Sequence, residues 1–344
     1  MKKSLLALAV LGAFASVASA QSSVTLSGTI DAGVTGTSND WHLGGSQSGY
    51  NAFTISGRED LGGGMSAFFV LNHRFRVQDG KSNTSTGNPG DASNTVFWRN
   101  SFVGLASGAG DIRMGRMLMP LQDMNGGFDA FDTGYVGSTH TGGLTATVRA
   151  NSTIYYRSPS LGGFKLEAAI AAAEGQYIND TAGTFAAGSG FQIPTALLNK
   201  ERPMGVSLRY AAGPINLGLA FDKNTADYDT TGLYGSYDFG SFKLLGQWEN
   251  GTINNAAGTA KEDVDIYSIS ARMPVGAFIF KAGYVWGTSS LPNKDANKFG
   301  LGAEYLLSKR TSLYSNVGKP GGDRTNGITG ATDTKFDLGI THRF

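Results

Sequence analysis

The 344-residue sequence carries 50 glycines, about twice the usual share, and no cysteine. Only 16% of its residues are charged, against roughly 25% in an average soluble domain, yet 40% are hydrophobic, with 20 Phe, 13 Tyr and 4 Trp. That balance excludes disorder and, with nine prolines and no G-X-Y period, collagen; a mean hydropathy of −0.14 excludes a bundle of membrane helices.

The N-terminus predicts an export signal. Lys2 and Lys3 precede an apolar run from Leu5 to Val17, which ends in Ala18-Ser19-Ala20. This is the order of a cleaved secretory signal, with cleavage expected before Gln21. An anchor helix is the alternative, but the run is too short to cross ~30 Å of hydrocarbon. Residues 1–20 are thus expected to be a signal peptide and 21–344 the exported domain. Losing Lys2 and Lys3 leaves 26 basic and 27 acidic side chains, a balance that argues against a nucleic-acid partner. An exported chain with no disulfides has to be held by an extensive sheet.

From residue 24 onward the sequence reads as strands. In 24–34 the even positions are apolar or glycine, and Thr25, Ser27, Thr29 and Asp31 hold the odd ones. Period-two alternation places one face against apolar surroundings and the other against water. Fourteen further strands are predicted at 51–59, 65–76, 95–106, 110–116, 151–158, 164–173, 204–211, 215–222, 231–238, 242–250, 264–273, 277–286, 297–306 and 312–319. The sixteenth closes the chain, with Phe336, Leu338, Ile340 and Phe344 alternating against Lys335, Asp337, Thr341 and Arg343. None of these stretches supplies the i, i+3, i+4, i+7 spacing of a helix.

The connections alternate in length. Short ones rich in Gly or Pro, such as Asp60–Gly64, Ser107–Ala109, Ala212–Pro214 and Pro274–Gly276, exchange with long polar ones at roughly 37–50, 77–94, 117–150, 174–203, 223–230, 251–263, 287–296 and 320–333. In antiparallel strands this puts all short turns at one rim and all loops at the other, the layout of an outer-membrane barrel. A pair of β-sandwiches would alternate too, but no linker divides the chain. Tyr210, Tyr237, Trp248, Tyr284, Trp286 and Tyr305 near strand ends suit a membrane interface, and closure removes sheet edges that lipid cannot satisfy. The fold class is therefore all-β, a 16-stranded antiparallel transmembrane barrel.

Several segments resemble one known family across essentially the whole exported chain. They are Ser23–Gly28, Gly57–Gly62, Trp98–Leu105, Gly115-Arg116, Asn151–Tyr156, Tyr237–Gly240, Leu307–Thr311 and Thr341–Phe344. In order and spacing they resemble the general trimeric porins of Gram-negative outer membranes, in their proteobacterial branch. The resemblance implies a homotrimer of barrels in outer-membrane lipid, a third long loop folded inward to narrow the channel, and passive diffusion of small hydrophilic solutes and ions. It also implies that Phe344 is an aromatic signal read by the barrel-insertion machinery. Segment 77–94 becomes the latch over a neighbouring copy. Gly28 and Ala32 offer small outward residues for close packing between walls.

A passive channel needs no nucleophile and no cofactor; pore diameter and the charges lining the narrowest ring set its function. The resemblance places the constriction loop at 117–150, with Asp123, Asp129 and Asp132 among Phe128, Phe131 and Tyr135. Opposite it, Arg58, Arg74, Arg99, Arg116 and Arg149 form the expected basic side, giving preference to small anions. In the third strand the register implied by the resemblance turns Ala67, Phe69 and Leu71 to lipid and Asn72, Arg74 and Arg76 inward, and it also turns Phe68 and Val70 inward. An arginine on the lipid face costs about 2–4 kcal/mol at the midplane. Arg58 departs from many relatives, which carry lysine or a small residue there.

Enzyme readings find little support. His42, His73, His140 and His342 are scattered without metal-binding or Ser-His spacing, and Gly108-Ala109-Gly110 precedes no helix that would cradle phosphate. Asp263 and Asp265 make a solvated pair, so neither a metal nor a catalytic site is expected. An outer-membrane hydrolase would need a Ser-His pair at one depth of the wall, and an adhesin or receptor barrel a plug or a much larger loop.

Overall fold

The computed structural model describes residues 23–45, 51–82, 98–134, 136–139, 149–171, 202–223, 229–254, 261–290, 296–321 and 333–344. The expected signal at 1–20, most of the 77–94 segment, Tyr135 and His140 lie outside these. The described chain is almost entirely antiparallel sheet. Its strands are β1 Ser23–Gly36, β2 Trp41–Gly45, β3 Ala52–Gly62, β4 Met65–Arg74, β5 Trp98–Ser107, β6 Gly110–Leu118, β7 Arg149–Arg157, β8 Phe164–Ala171 and β9 Met204–Ala212. They continue as β10 Ile215–Lys223, β11 Asp229–Asp238, β12 Lys243–Asn254, β13 Lys261–Val275, β14 Phe278–Ser289, β15 Ala296–Leu306, β16 Thr311–Gly321 and β17 Lys335–Arg343.

Each strand from β3 onward pairs with the next, and β1 closes the sheet on β17 with Thr29 opposite Arg343 and Gly36 opposite Phe336. The short β2 was not expected, because 37–50 reads as polar connection. It pairs with Ala32–Gly36 of β1, and β3 pairs with Ser23–Thr29 of the same strand. The two segments thus share one place in the wall, and the barrel has sixteen staves. The seam is finished by Phe344, whose N–H donates to Gly28 O at 3.0 Å while Gly28 N–H donates to Phe344 O at 2.9 Å. A side chain at Gly28 would run into the Phe344 ring and the Ala52 carbonyl.

Residues directly opposite across strands share a face, so the register sorts the two sides. One row runs Val24, Gly57, Phe69, Val103, Met114, Ile154, Ile170, Met204. Its aliphatic and methionine members stand exposed, Val24 at 70% and Val103 at 57%, with Phe69 half-buried. Such a girdle encircles the wall, and in water it would far exceed the few hundred Å² of apolar patch a soluble monomer tolerates. Lipid is the solvent that suits it. The adjacent row runs Ser23, Arg58, Phe68, Gly104, Arg113, Tyr155, Ala169, Gly205, Asp222, and it faces the inside of the closed wall. Near the short turns the outward face carries aromatic clusters: Tyr237 with Phe239, Phe278 with Tyr305, and Phe164 with Tyr210, ring centroids 4.6–4.8 Å apart. Amphipathic rings there match an interfacial girdle. The turns need glycine: Gly62, Gly63 and Gly64 all hold φ between 62° and 77°.

Candidate functional site

After β6 the chain leaves the wall and forms helix α1, Pro120–Asn125, followed by a single 3-10 turn at Gly126–Phe128. Pro120 stands at the helix start, where its missing N–H costs nothing, and Asp123 N–H bonds Met119 O at 3.0 Å. This segment docks on the polar face of the wall. Leu121, Met124 and Phe128 are buried against Ala220 and Tyr234, and Phe131 against Leu245 and Tyr314. The wall yields room for it at glycines. A side chain at Gly218 would meet Met124 Sδ, and side chains at Gly300 and Gly318 would meet the backbone of Gly137 and Val136. Aromatics in an otherwise polar loop are thereby explained: they are its adhesive.

Polar bonds pin the segment along its length. Leu121 N–H approaches Asp222 Oδ1 at 3.4 Å, Asn125 donates to Glu249, and Ala130 N–H donates to Ser270 Oγ at 3.2 Å. Further on, Val136 N–H donates to Asp337 Oδ2 at 2.9 Å, and Gln247 donates to Thr139 O at 3.3 Å. The three acids expected in this loop have different roles. Asp129 is buried and accepts from the loop itself: Thr133 N–H at 2.9 Å, Ser138 Oγ at 2.6 Å, and both Thr139 N–H and Oγ1 at 3.1 and 2.9 Å. Its charge holds the loop closed. Asp132, at φ 54°, pairs with Arg272 at 3.1 Å and Lys281 at 3.7 Å on β13 and β14. Asp123 lies 3.4 Å from Arg157 of β7. Burial, reinforced by the charge of Glu167, raises the Asp123 carboxyl above its ordinary range against the pull of Arg157, Arg209 and Arg113.

The five expected arginines are placed unevenly. Arg58 and Arg74 share the polar face of β3 and β4 with Phe68, as the cross-strand pairs Arg58 with Phe68 and Ala52 with Arg74 require. Arg58 donates to Ser66 Oγ and lies over the Phe68 ring at 5.0 Å. Arg149 is buried at the start of β7 and donates to Asn100 Oδ1 at 3.0 Å. Arg99 is the additional residue of a bulge, where the register passes from Asn72 opposite Asn100 to His73 opposite Trp98. Arg116 sits at a second bulge and donates to Asn151 Oδ1 at 2.6 Å. Of the loop acids, Asp123 and Asp132 pair with Arg157, Arg272 and Lys281, none of which belongs to this expected set.

Sequence reading also passed over Arg113 and Arg209. Arg113 lies 5.5–5.7 Å from the centroids of Phe68, Phe102 and Tyr155 and forms a two-point bond to Asp111 at 2.5 and 3.2 Å. Arg157 bridges Tyr155, 5.9 Å away, to Glu167 at 2.5 Å. An inward Phe68 is therefore no misfit, because two guanidinium groups share its ring and their charge gains from the ring's π cloud. Counted by register, Arg58, Arg74, Arg113, Arg157, Lys165 and Arg209 share the polar face of β3–β9 with Asp60, Asp111 and Glu167. Among the described residues no cluster of three His, Asp or Glu is arranged to hold a metal. His73 is instead buried between Phe53 and Trp98, and His342 bonds Thr311 Oγ1 at 2.8 Å.

Comparison with known proteins agrees with this geometry. Residues 7–325 match the family model described as Gram-negative porin. Outer membrane porin protein 32 of Delftia acidovorans is 30% identical over the full length of both chains, and an outer membrane porin protein of Bordetella pertussis is 29% identical over the same extent. Among solved structures, the anion-selective porin from Comamonas acidovorans superposes with a TM-score of 0.72 at 27% identity, covering 94% of this chain and all of that one.

Proposed function

This chain belongs to the Gram-negative porin family, an outer-membrane channel by membership, and on that premise we propose that its pore prefers anions. One observation carries the preference: six cationic side chains against three acids on the polar face of β3–β9. Of the loop acids, Asp123 offsets Arg157, while Asp129 is engaged by the loop's own donors and Asp132 by Arg272 and Lys281. The anion-selective description of the Comamonas relative supports the same reading. In this account Pro120–Thr139 is the inward third loop that narrows the channel. The Arg58, Phe68, Arg113, Tyr155, Arg157 stack is the wall it faces. Low-dielectric walls focus the field of those charges on the passing solute, which selects by sign without any chemical step.

Three copies assembling through the outward side of β1, where Gly28 and Ala32 are small, complete the proposal; unheated protein migrating as a monomer on a detergent gel contradicts it. Phe344 is proposed as the end recognised during insertion. Swelling of liposomes in isotonic solutes of matched size tests the preference. An anionic sugar acid should enter faster than its neutral sugar and an amino sugar slower, and the reverse order refutes the reading.

A further inference from the structure

We propose that a recess in the wall beside the first short turn binds small monocarboxylates that carry an apolar body, a specificity resting on the anion-channel reading above. The recess is about 220 Å³ and lies where β1, β3 and β4 meet. Gly57 and Phe69 of the outward row border it, and two adjacent cross-strand rows line it: Ser23, Arg58 and Phe68 in one, Thr25, Ser56 and Val70 in the other. The six residues of those two rows share the polar face of the wall. That volume holds about seven waters at ~30 Å³ each, too many for a bare halide and too few for a drug-sized ligand.

The lining combines two chemistries. Arg58 is exposed, and its guanidinium is fixed by Ser66 on one side and by the Phe68 ring, 5.0 Å from its centre, on the other. A planar fork held this way meets a carboxylate with little further loss of freedom. The hydroxyls of Ser23, Thr25 and Ser56 offer donors beside it. Phe68 and Val70 offer the opposite, half-exposed apolar surface from which water is readily displaced. An inorganic anion would satisfy Arg58 and leave those two side chains wet. A carboxylate with a ring or branched chain satisfies both. Covering the apolar lining of the recess together with the matching face of the ligand, on the order of 50 Å² in all, at ~25 cal/mol per Å² is worth about tenfold in affinity over acetate.

The purified full-length channel in planar bilayers, bathed in KCl, provides the test with benzoate and acetate as probes. Benzoate added on the short-turn side should reduce the chloride current with a half-effect at about tenfold lower concentration than acetate. Val70→Asn should bring the two acids within about twofold of each other while the zero-current potential in plain KCl stays as in the wild type. Val70→Thr, nearly identical in shape, should narrow the gap in the same direction if the bulkier change disturbs folding. Arg58→Gln should abolish both effects. Equal action of the two acids on the wild type, or a tenfold gap untouched in both Val70 variants, overturns the proposal. A wild-type potential on the cation side in KCl alone refutes the underlying channel reading instead, so the two failures are distinguishable.

Discussion

Replacing Arg58 with glutamine isolates one charge of the wall. Arg58 is held by a hydroxyl and a ring, neither of which carries charge, so its removal frees no acid. A solute passing about 6 Å from the guanidinium in water-like surroundings feels about 0.7 kcal/mol. At 0.1 M salt, a Debye length of ~10 Å leaves about 0.4 kcal/mol, close to twofold for an anion and the inverse for a cation. The anion-to-cation permeability ratio should therefore fall about fourfold. At 1 M the Debye length of ~3 Å leaves about 0.1 kcal/mol, and the ratio should move by less than about 1.5-fold. The assay is the zero-current potential across a planar bilayer in a KCl gradient, measured at both ionic strengths. An unchanged potential at 0.1 M means that Arg58 lies off the ion path. An equal shift at both salt levels means that the charge acts through pore shape and not through its field.

Three further outcomes follow from the loop and the seam. Because the Asp123 carboxyl is raised, its negative charge is lost at higher pH than an ordinary aspartate's as acid is added. Anion preference should rise as the pH falls, beginning above the range of an ordinary aspartate, and Asp123→Asn should flatten that part of the profile; a profile identical in the variant refutes the role. Gly300→Val drives a side chain into the Gly137 backbone, so it should unseat the loop, raise conductance and weaken selectivity with the sheet signal in circular dichroism intact. Deleting Phe344 removes the bonds that finish the seam to Gly28 and should lower outer-membrane yield without changing selectivity in the molecules that assemble; full yield counts against the assembly role.

The wall was legible in the sequence because strands with one lipid face and one water face alternate, and because short Gly-rich turns alternate with long loops. The register implied by the family resemblance put Arg58, Arg74 and even the inward Phe68 on the polar face, and the cross-strand pairs have them there too. Alternation fails at bulges, where one additional residue breaks the parity, and Arg99 and Arg116 both sit at such points. It missed β2 because Trp41–Gly45 offers too few residues for a period to show. Arg113, Arg157, Arg209, Arg272 and Lys281 were passed over for another reason. A lone cation on a polar strand face looks like any solvated residue until the fold brings rings and loop acids around it. The distinct role of Asp129 depends on Ser138 and Thr139 folding back onto it, a closure that spacing alone does not reveal.

The zero-current potential of the unaltered channel in a dilute KCl gradient tests the central claim most directly. Cations outnumber acids on the polar face of β3–β9 and only one loop acid, Asp123, pairs with them, so the potential should lie on the chloride side and collapse toward zero as salt approaches ~1 M. A potential on the potassium side, or a chloride preference that concentrated salt leaves intact, contradicts selection by the arginine wall.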